Sequence, residues 1–157
     1  MSLLHKLSVV ILFATFSLKA HAQQENKVNW LTFEQLNDSL AIKAKPVIIF
    51  FHTEWCAYCK KMLAESFTAK KVTDLLNRNY YAVKFDAESI DSVYFDGVHY
   101  TNVANRKTTG KIHALATILM GKENPAVFPA TIVLNKDFMM VERKFNYLST
   151  KQLLKIL

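Results

Sequence analysis

The sequence has little of what several protein classes require. Only two of its 157 residues are cysteine, and neither lies near residue 22, which removes the usual attachment point of a lipoprotein. Glycine occurs three times, and no Gly-rich dinucleotide fingerprint is present. Repeats and low-complexity tracts are absent. Lysine and arginine exceed the acidic residues, 20 against 13, but they are scattered along the chain. That pattern argues against nucleic-acid binding.

The beginning of the chain has the layout of a secretory leader. Lys6 precedes an apolar stretch over residues 7–18, and Ala20-His21-Ala22 follows as a small-residue cleavage site. The stretch is shorter than the roughly 20 residues of a spanning helix, so an uncleaved anchor is the minority alternative. We expect a signal peptide over residues 1–22, cleaved near Ala22/Gln23, and no stable membrane insertion afterwards.

The mature chain, residues 23–157, is long enough for one domain with a sizeable core. Removal of Lys6 and Lys19 with the leader lowers the formal net charge from +7 to +5, which is modestly basic. Because export places the protein in an oxidising compartment, a free thiol pair there tends to form a disulfide unless it cycles.

The two cysteines, in Cys56-Ala57-Tyr58-Cys59, lie where an apolar strand pattern over residues 46–52 gives way to a helical pattern. Cys56 would therefore open that helix. Free N–H groups and the helix dipole stabilise a thiolate at this position, which lowers the pKa of the Cys56 thiol. We expect Cys56 to be the reachable, attacking sulfur, and Cys59, one turn later, to resolve the mixed disulfide.

Three other interpretations of the cysteine pair stay open. A purely structural disulfide closes too small a loop to stabilise the fold by much more than about 2 kcal/mol. A metal centre would need further ligands from His52, His99 or His113, and none has zinc-finger spacing; copper transfer is its least implausible form. Two unpaired thiols could also meet by coincidence. A redox pair is the favoured interpretation, with no bound cofactor and no metal.

Hydrophobic periodicity and capping signals predict an alternation of helices and strands. In chain order we expect a helix capped by Thr32, a strand over 46–52, a helix from Cys56 to about 65, a helix over 70–77, a strand over 80–86, an Asp-Gly hairpin over 93–100, a helix over 109–120, strands over 129–134 and 138–145, and a helix from Ser149 to 157. His99 and His113 are expected to be exposed, on the hairpin and on the fourth helix.

This order, together with two motifs far apart in the chain, resembles the thioredoxin superfamily. Trp55 to Lys60 looks like the Trp-Cys-x-x-Cys-Lys signature, and residues 128–131 look like the cis-proline loop. The match spans roughly residues 30–157. Within the superfamily the chain is most similar to exported thioredoxin-like proteins and to the C-terminal domain of the transmembrane thiol-disulfide interchange reductase.

The resemblance implies an α/β thioredoxin fold, with a central mixed sheet flanked by helices. A hairpin and a helix are inserted over residues 89–127, before the cis-proline loop. It also implies that Phe128 and Pro129 line the site where a substrate peptide pairs. Trp55 and Tyr58 would add aromatic surface there. Many relatives carry a buried acid where this chain has Phe50, so the proton-transfer role of that acid has no obvious holder. Glu54 could serve as a nearby acid, and a solvated loop carboxylate is the equal alternative.

The function expected from the sequence is that of an exported, periplasmic thiol-disulfide oxidoreductase, acting as a reductase of protein disulfides. The partners would be protein disulfide or dithiol substrates and a separate dithiol protein that supplies or accepts electrons. The alternatives are a disulfide-forming oxidase or isomerase, or a non-catalytic copper-transfer or interaction module. The sequence does not fix the direction of electron flow.

Overall fold

A five-stranded mixed sheet forms the centre of the structure, a computed structural model that describes residues 26–104, 106–121 and 126–157. The expected leader and its cleavage point lie outside these residues. The strands are β1 (Trp30–Leu31), β2 (Val47–His52), β3 (Tyr81–Asp86), β4 (Val93–Phe95), β5 (Val98–Tyr100), β6 (Ala130–Leu134) and β7 (Met140–Lys144). The helices are α1 (Phe33–Ile42), α2 (Ala57–Glu65), α3 (Lys70–Asn79), α4 (Ala114–Met120) and α5 (Thr150–Ile156).

The strand order in the sheet is β1-β3-β2-β6-β7, and β4 and β5 form a separate hairpin. Strand β3 runs parallel to β1 and β2, whereas β6 is antiparallel to β2 and β7 is antiparallel to β6. The predicted strands and helices therefore all exist, in the expected order. The predicted thioredoxin architecture is confirmed, including the hairpin and helix inserted between β3 and β6.

The sheet separates two apolar cores, because successive side chains of β2 point to opposite faces. Val47, Ile49 and Phe51 belong to one core, which we call the insertion-side core because it also contains residues of α1, β4 and α4. Ile48 and Phe50 belong to the other, the cysteine-side core, which also contains residues of α2, α3 and α5. The cysteine pair and the insertion thus pack on opposite faces of one sheet.

Two helices begin with capping boxes, and their N-cap residues, Thr32 and Ser149, are those that the sequence predicts. The Thr32 hydroxyl accepts a hydrogen bond from the Gln35 N–H, and the Gln35 side chain accepts one from the Thr32 N–H. Ser149 and Gln152 make the same reciprocal pair at the start of α5. Each box satisfies two N–H groups that a helix start leaves without intrahelical partners.

The Asp-Gly hairpin is also confirmed, and it is attached to α1. Asp96 and Gly97 take φ values of 50° and 72°, as a tight primed hairpin turn requires. The Glu34 carboxylate accepts a hydrogen bond from the Tyr94 N–H, and the Phe33 and Phe95 rings meet edge to face at 5.4 Å. The hairpin therefore lies against the body of the domain.

The predicted helix over residues 109–120 was too long, because α4 begins only at Ala114. Gly110 has φ +82°, outside the helical region, and the Asn102 side chain donates a hydrogen bond to the Lys111 carbonyl. Residues 109–112 therefore form a loop. None of the helices in the described ranges is long and apolar enough to cross a membrane.

The prediction that His113 is exposed was wrong as well. The residue is fully buried, and its Nδ1 caps α4 by accepting a hydrogen bond from the Leu115 N–H at 3.2 Å. Its Nε2 lies 3.1 Å from the Asp91 carbonyl oxygen. Burial lowers the pKa of His113, although the bond to that carbonyl opposes the effect. His99, by contrast, is exposed on the hairpin, as predicted.

Candidate active site

Cys56 and Cys59 are joined by a disulfide at the start of α2. Strand β2 ends at His52, and the Cys56 N–H then donates to the Thr53 carbonyl in the turn that leads into the helix. Cys56 is the N-cap residue, and its Sγ accepts a hydrogen bond from the Cys59 N–H at 3.0 Å. The position predicted for Cys56, at the positive end of the helix, is therefore observed.

The cysteine pair is more enclosed than the sequence led us to expect. Cys56 is 4% exposed and Cys59 1%, and both belong to the cysteine-side core with Met62. In the disulfide state Cys56 is therefore much less accessible than the sequence predicted. The N-terminal cysteine still has the larger exposed fraction of the two.

Two aromatic pairs lie around the cysteines. Trp55 is 53% exposed and its ring meets that of Phe128 edge to face, with centroids 6.0 Å apart. Tyr58 is 63% exposed and lies 6.3 Å from the Tyr147 ring. Pro129 is buried, and the Phe128–Pro129 peptide bond is cis, as the resemblance implied. The structure therefore joins the two cysteines and exposes Trp55 and Tyr58 next to them in the chain. It also puts Phe128, which precedes the cis bond, against the Trp55 ring.

In the part of the chain that the structure describes, no acid lies on β2 beneath the cysteines, and Phe50 is fully buried there. The side chain of Glu54 is 77% exposed and pairs at 2.7 Å with Lys107 of the insertion. Lys107 also pairs with Asp86 at the end of β3, and these two carboxylates, Asp86 foremost, raise the pKa of the Lys107 amine. Glu54 is thus a surface carboxylate held by the insertion, not a buried one.

His52 stands at the end of β2, below the cysteine turn. Its ring stacks on Phe50 with centroids 6.2 Å apart. Burial lowers the pKa of His52, and the Asp86 carboxylate partly opposes this effect while Lys84 adds to it. Burial therefore favours the neutral form of the imidazole, which packs against Phe50.

Sequence reasoning missed Glu88, which follows β3 and is only 2% exposed. One carboxylate oxygen accepts a hydrogen bond from the Trp55 indole N–H at 3.0 Å, and the other accepts one from the Gly110 N–H. A signal did exist: Asp86 ends β3 and Glu88 follows it, β3 runs parallel to β2, and the carboxyl ends of parallel strands meet at one edge of a sheet. In the described ranges, no three His, Cys, Asp or Glu side chains are grouped so that they could hold a metal ion.

The chain matches a known protein family over most of its length. The family Thioredox_DsbH, described as a protein of unknown function, DUF255, matches residues 12–153. The chain belongs to the Thioredox_DsbH family. Its homologues are thioredoxin-like and DsbD-like thiol-disulfide oxidoreductases.

A DsbD protein, a DsbH oxidoreductase and a thioredoxin are among the proteins similar to this Thioredox_DsbH chain. A thiol:disulfide interchange protein DsbD of Campylobacter jejuni (strain RM1221) is 30% identical over 74 residues, which are 47% of this chain but 12% of that protein. A solved DsbH oxidoreductase is similar with TM-score 0.55 and 14% identity, over 91% of this chain and 94% of that one. A thioredoxin of Thermus thermophilus has TM-score 0.56 and 19% identity, over 82% and 83%.

These similarities bear differently on fold and on activity. At 14% and 19% identity, the two solved structures establish the thioredoxin fold of the Thioredox_DsbH chain. The DsbD match covers a small part of a much longer protein. What the whole of DsbD does therefore does not transfer to this chain directly.

Proposed function

We propose that the chain is an exported thiol-disulfide oxidoreductase that reduces disulfides of protein substrates through Cys56 and Cys59. The observation that carries the proposal is the hydrogen bond from the Cys59 N–H to the Cys56 Sγ at the N-cap of α2. In the reduced protein that N–H and the helix dipole favour the thiolate of Cys56 over its thiol. A lower pKa of Cys56 follows, and with it a larger thiolate fraction at neutral pH.

The reaction starts from the dithiol. The Cys56 thiolate attacks one sulfur of a substrate disulfide, and the other substrate sulfur leaves as a thiolate, which takes a proton from water. Cys59 then loses its proton to water and attacks the Cys56 sulfur of the mixed disulfide. The bond between Cys56 and the substrate breaks, and the second substrate sulfur leaves as a thiolate that takes a proton from water. The substrate now has two thiols, and the Cys56–Cys59 disulfide has formed. Two electrons have passed to the substrate, and a separate dithiol protein must return them.

Trp55, Tyr58, Phe128 and Pro129 are the proposed substrate contacts. Trp55 and Tyr58 are each more than half exposed beside the cysteines, so they offer apolar surface to an incoming peptide. Phe128 precedes the cis bond, and an extended substrate segment would pair with its backbone as an added strand does. Partner proteins of this kind agree with what the DsbD and DsbH relatives are called.

Enclosure of Cys56 makes a direct test of accessibility necessary. In the reduced, folded protein, iodoacetamide should alkylate Cys56 faster than Cys59, because the helix start favours the Cys56 thiolate and its exposed fraction is the larger of the two. Peptide mass spectrometry after short labelling times measures the two rates. Equal rates, or no labelling of either thiol before unfolding, would remove the proposed nucleophile.

The role of each cysteine is tested with a matched pair of variants. Cys59→Ser leaves Cys56 able to attack but removes the resolving sulfur, so covalent complexes with substrate proteins should accumulate. Cys56→Ser is the control and should trap none. Complexes that are released by dithiothreitol on gels report the outcome. Equal trapping by both variants contradicts the assignment.

The direction of electron flow is tested by the reduction potential of the cysteine couple, measured in glutathione or dithiothreitol redox buffers. A reductase should have a potential near that of thioredoxin, about −270 mV, whereas an oxidant approaches about −120 mV. Insulin reduction by the wild-type protein, with dithiothreitol as electron donor, tests catalysis separately. A strongly oxidising potential would replace the reductase by a disulfide-forming oxidase or isomerase.

Export to the periplasm is the remaining part of the proposal, and it rests on the sequence of residues 1–22 alone. Expression in a Gram-negative host followed by periplasmic extraction and N-terminal sequencing tests it. The expected product begins at Gln23. A cytoplasmic product that still carries residues 1–22 would contradict both the leader and the localisation.

A further inference from the structure

Glu88 is a buried carboxylate that the reaction as described does not use. It is 2% exposed, and within the described ranges it belongs to no ion pair. A buried carboxylate is costly unless hydrogen bonds satisfy its oxygens. The Trp55 indole and the Gly110 backbone donate one bond each, to different oxygens. Glu88 therefore holds two segments of the chain together at a fixed point.

Both of those segments border the disulfide site or its insertion. Trp55 directly precedes Cys56, and Gly110 belongs to the loop that leads from the β4–β5 hairpin to α4. The same loop supplies Lys107, which pairs with Glu54 and Asp86. The insertion is thus attached to the residues before Cys56 at two points, one buried and one on the surface.

We propose that Glu88 is a positioning residue that fixes the Trp55 indole against Phe128 and thereby determines the affinity for substrate. The proposal rests on the proposed disulfide exchange and names a residue that controls its substrate contact. The indole is held at its N–H by Glu88 and meets Phe128 edge to face at 6.0 Å. Without the carboxylate, a half-exposed tryptophan has several rotamers open to it, and ordering it again on substrate binding costs entropy.

The effect should appear in binding more than in the chemical step. Glu88 accepts from the indole and from a backbone N–H, and it is not a described partner of either sulfur. Loss of the bond therefore alters how often Trp55 is in place for a substrate, and it leaves the helix start around Cys56 intact. The expected signature is a higher KM with little change in kcat and in reduction potential.

The first test is Glu88→Gln in a Trp30→Phe background, where Trp55 is the only tryptophan of the chain. Glutamine keeps the shape of glutamate but offers one acceptor oxygen, so it cannot accept from both the Trp55 indole and the Gly110 N–H. Losing the first bond frees the indole directly, and losing the second frees the side chain that holds it. KM for insulin should rise about fivefold with kcat within twofold, an apparent change of about 1 kcal/mol. Trp55 fluorescence should shift to longer wavelength, and acrylamide should quench it more. Glu142→Gln, on the far edge strand, removes an equal charge and should change neither readout.

A second variant covers the case in which Glu88→Gln fails to fold, as judged by circular dichroism. Gly110 has φ +82°, which favours glycine, while a methyl group there would meet nothing within 4 Å. Gly110→Ala therefore acts through backbone conformation alone, by moving the N–H away from Glu88. It should raise KM about two- to threefold and shift Trp55 emission in the same direction.

The outcomes separate this inference from the proposed function. A folded variant with unchanged KM and unchanged Trp55 emission, alongside active wild type, overturns the role of Glu88. Inactive wild-type protein overturns the proposed disulfide exchange, while the fluorescence comparison still reads the position of Trp55. If the reduction potential of the variant changes by as much free energy as the KM does, Glu88 acts on the sulfur chemistry itself. That result also overturns the inference.

Discussion

Thr131→Val should stabilise the protein, although it removes a polar group next to the cis bond of Pro129. Thr131 lies on β6, paired in register with Phe50 of β2, and it is 0% exposed. Its hydroxyl has no hydrogen-bond partner among the described residues. A buried hydroxyl left unsatisfied costs about 1–3 kcal/mol. Valine has nearly the same shape and no polar atom, and its methyl group suits a buried strand position.

We therefore expect the free energy of unfolding to rise by about 1–2 kcal/mol, at the lower end of that cost. For a domain of roughly 130 residues, each kcal/mol raises Tm by about 4 °C, so the expected rise is about 4–8 °C. Thermal and urea unfolding of the oxidised protein, followed by circular dichroism, give both values. The disulfide must stay intact during the measurement, because its reduction would break two-state behaviour.

A matched control separates the hydroxyl from the methyl group. Thr131→Ser keeps the hydroxyl and deletes one buried methyl group, so it should lose about 1 kcal/mol of stability. Thr53, buried at the end of β2 with a hydroxyl that likewise lacks a described partner, provides an independent repeat through Thr53→Val. Our reasoning fails if Thr131→Val unfolds more easily than wild type, since the hydroxyl must then make a hydrogen bond in solution.

Three further predictions concern stability. Burial lowers the pKa of His113 in the fold, so the unfolded chain binds more protons below its ordinary pKa of about 6.5 and stability should fall as pH drops through that value. His113→Asn, which retains an acceptor for the α4 cap, should reduce the difference between the urea midpoints at pH 7.5 and pH 5.5. The same difference in variant and wild type would contradict this prediction. Phe67→Ala empties a fully buried site in edge-to-face contact with Trp30 and Phe50, and should cost about 3–5 kcal/mol in urea unfolding; a loss below 1 kcal/mol would mean that the site collapses. Ser149→Ala removes the cap of α5 and should cost about 1 kcal/mol, with Ser149→Asp as the rescuing control.

Local signals account for the parts of the fold that the sequence predicted correctly. The Thr32 and Ser149 boxes involve residues three apart, and the Asp96-Gly97 turn involves two adjacent ones. The fully apolar run of β2 is typical of a strand buried on both faces. Each of these patterns carries its structural consequence within a few residues, so tertiary context is not needed to interpret it.

The errors arose where distant residues decide the outcome. The apolar spacing of Ile112, Leu115 and Leu119 suits a helix that starts earlier than α4 does. That start is set by Gly110 and by the side chain of Asn102, nine residues from the carbonyl it binds. The burial of His113 has a similar cause, because the Asp91 carbonyl that it meets is 22 residues away.

The site residues also separate into those that a local pattern predicted and one that depends on distant contacts. Cys56 and Cys59 were evident because two cysteines with this spacing, between a strand and a helix, have a chemical meaning on their own. The bond between Trp55 and Glu88 joins residues 33 positions apart. The parallel pairing of β2 and β3 brings that acid to the cysteine turn, and no short-range pattern around Glu88 does so.

The central sheet divides the molecule into two sides that can change separately. Packing around the disulfide involves one face, whereas the added hairpin and short helix rest on the other. Among the described side chains, Phe128 is the only one packed against both cores. Trimming the hairpin and the short helix would therefore leave the packing on the cysteine face largely intact, but it would also remove the Gly110 and Lys107 contacts that hold Glu88 and Glu54 beside the cysteine turn.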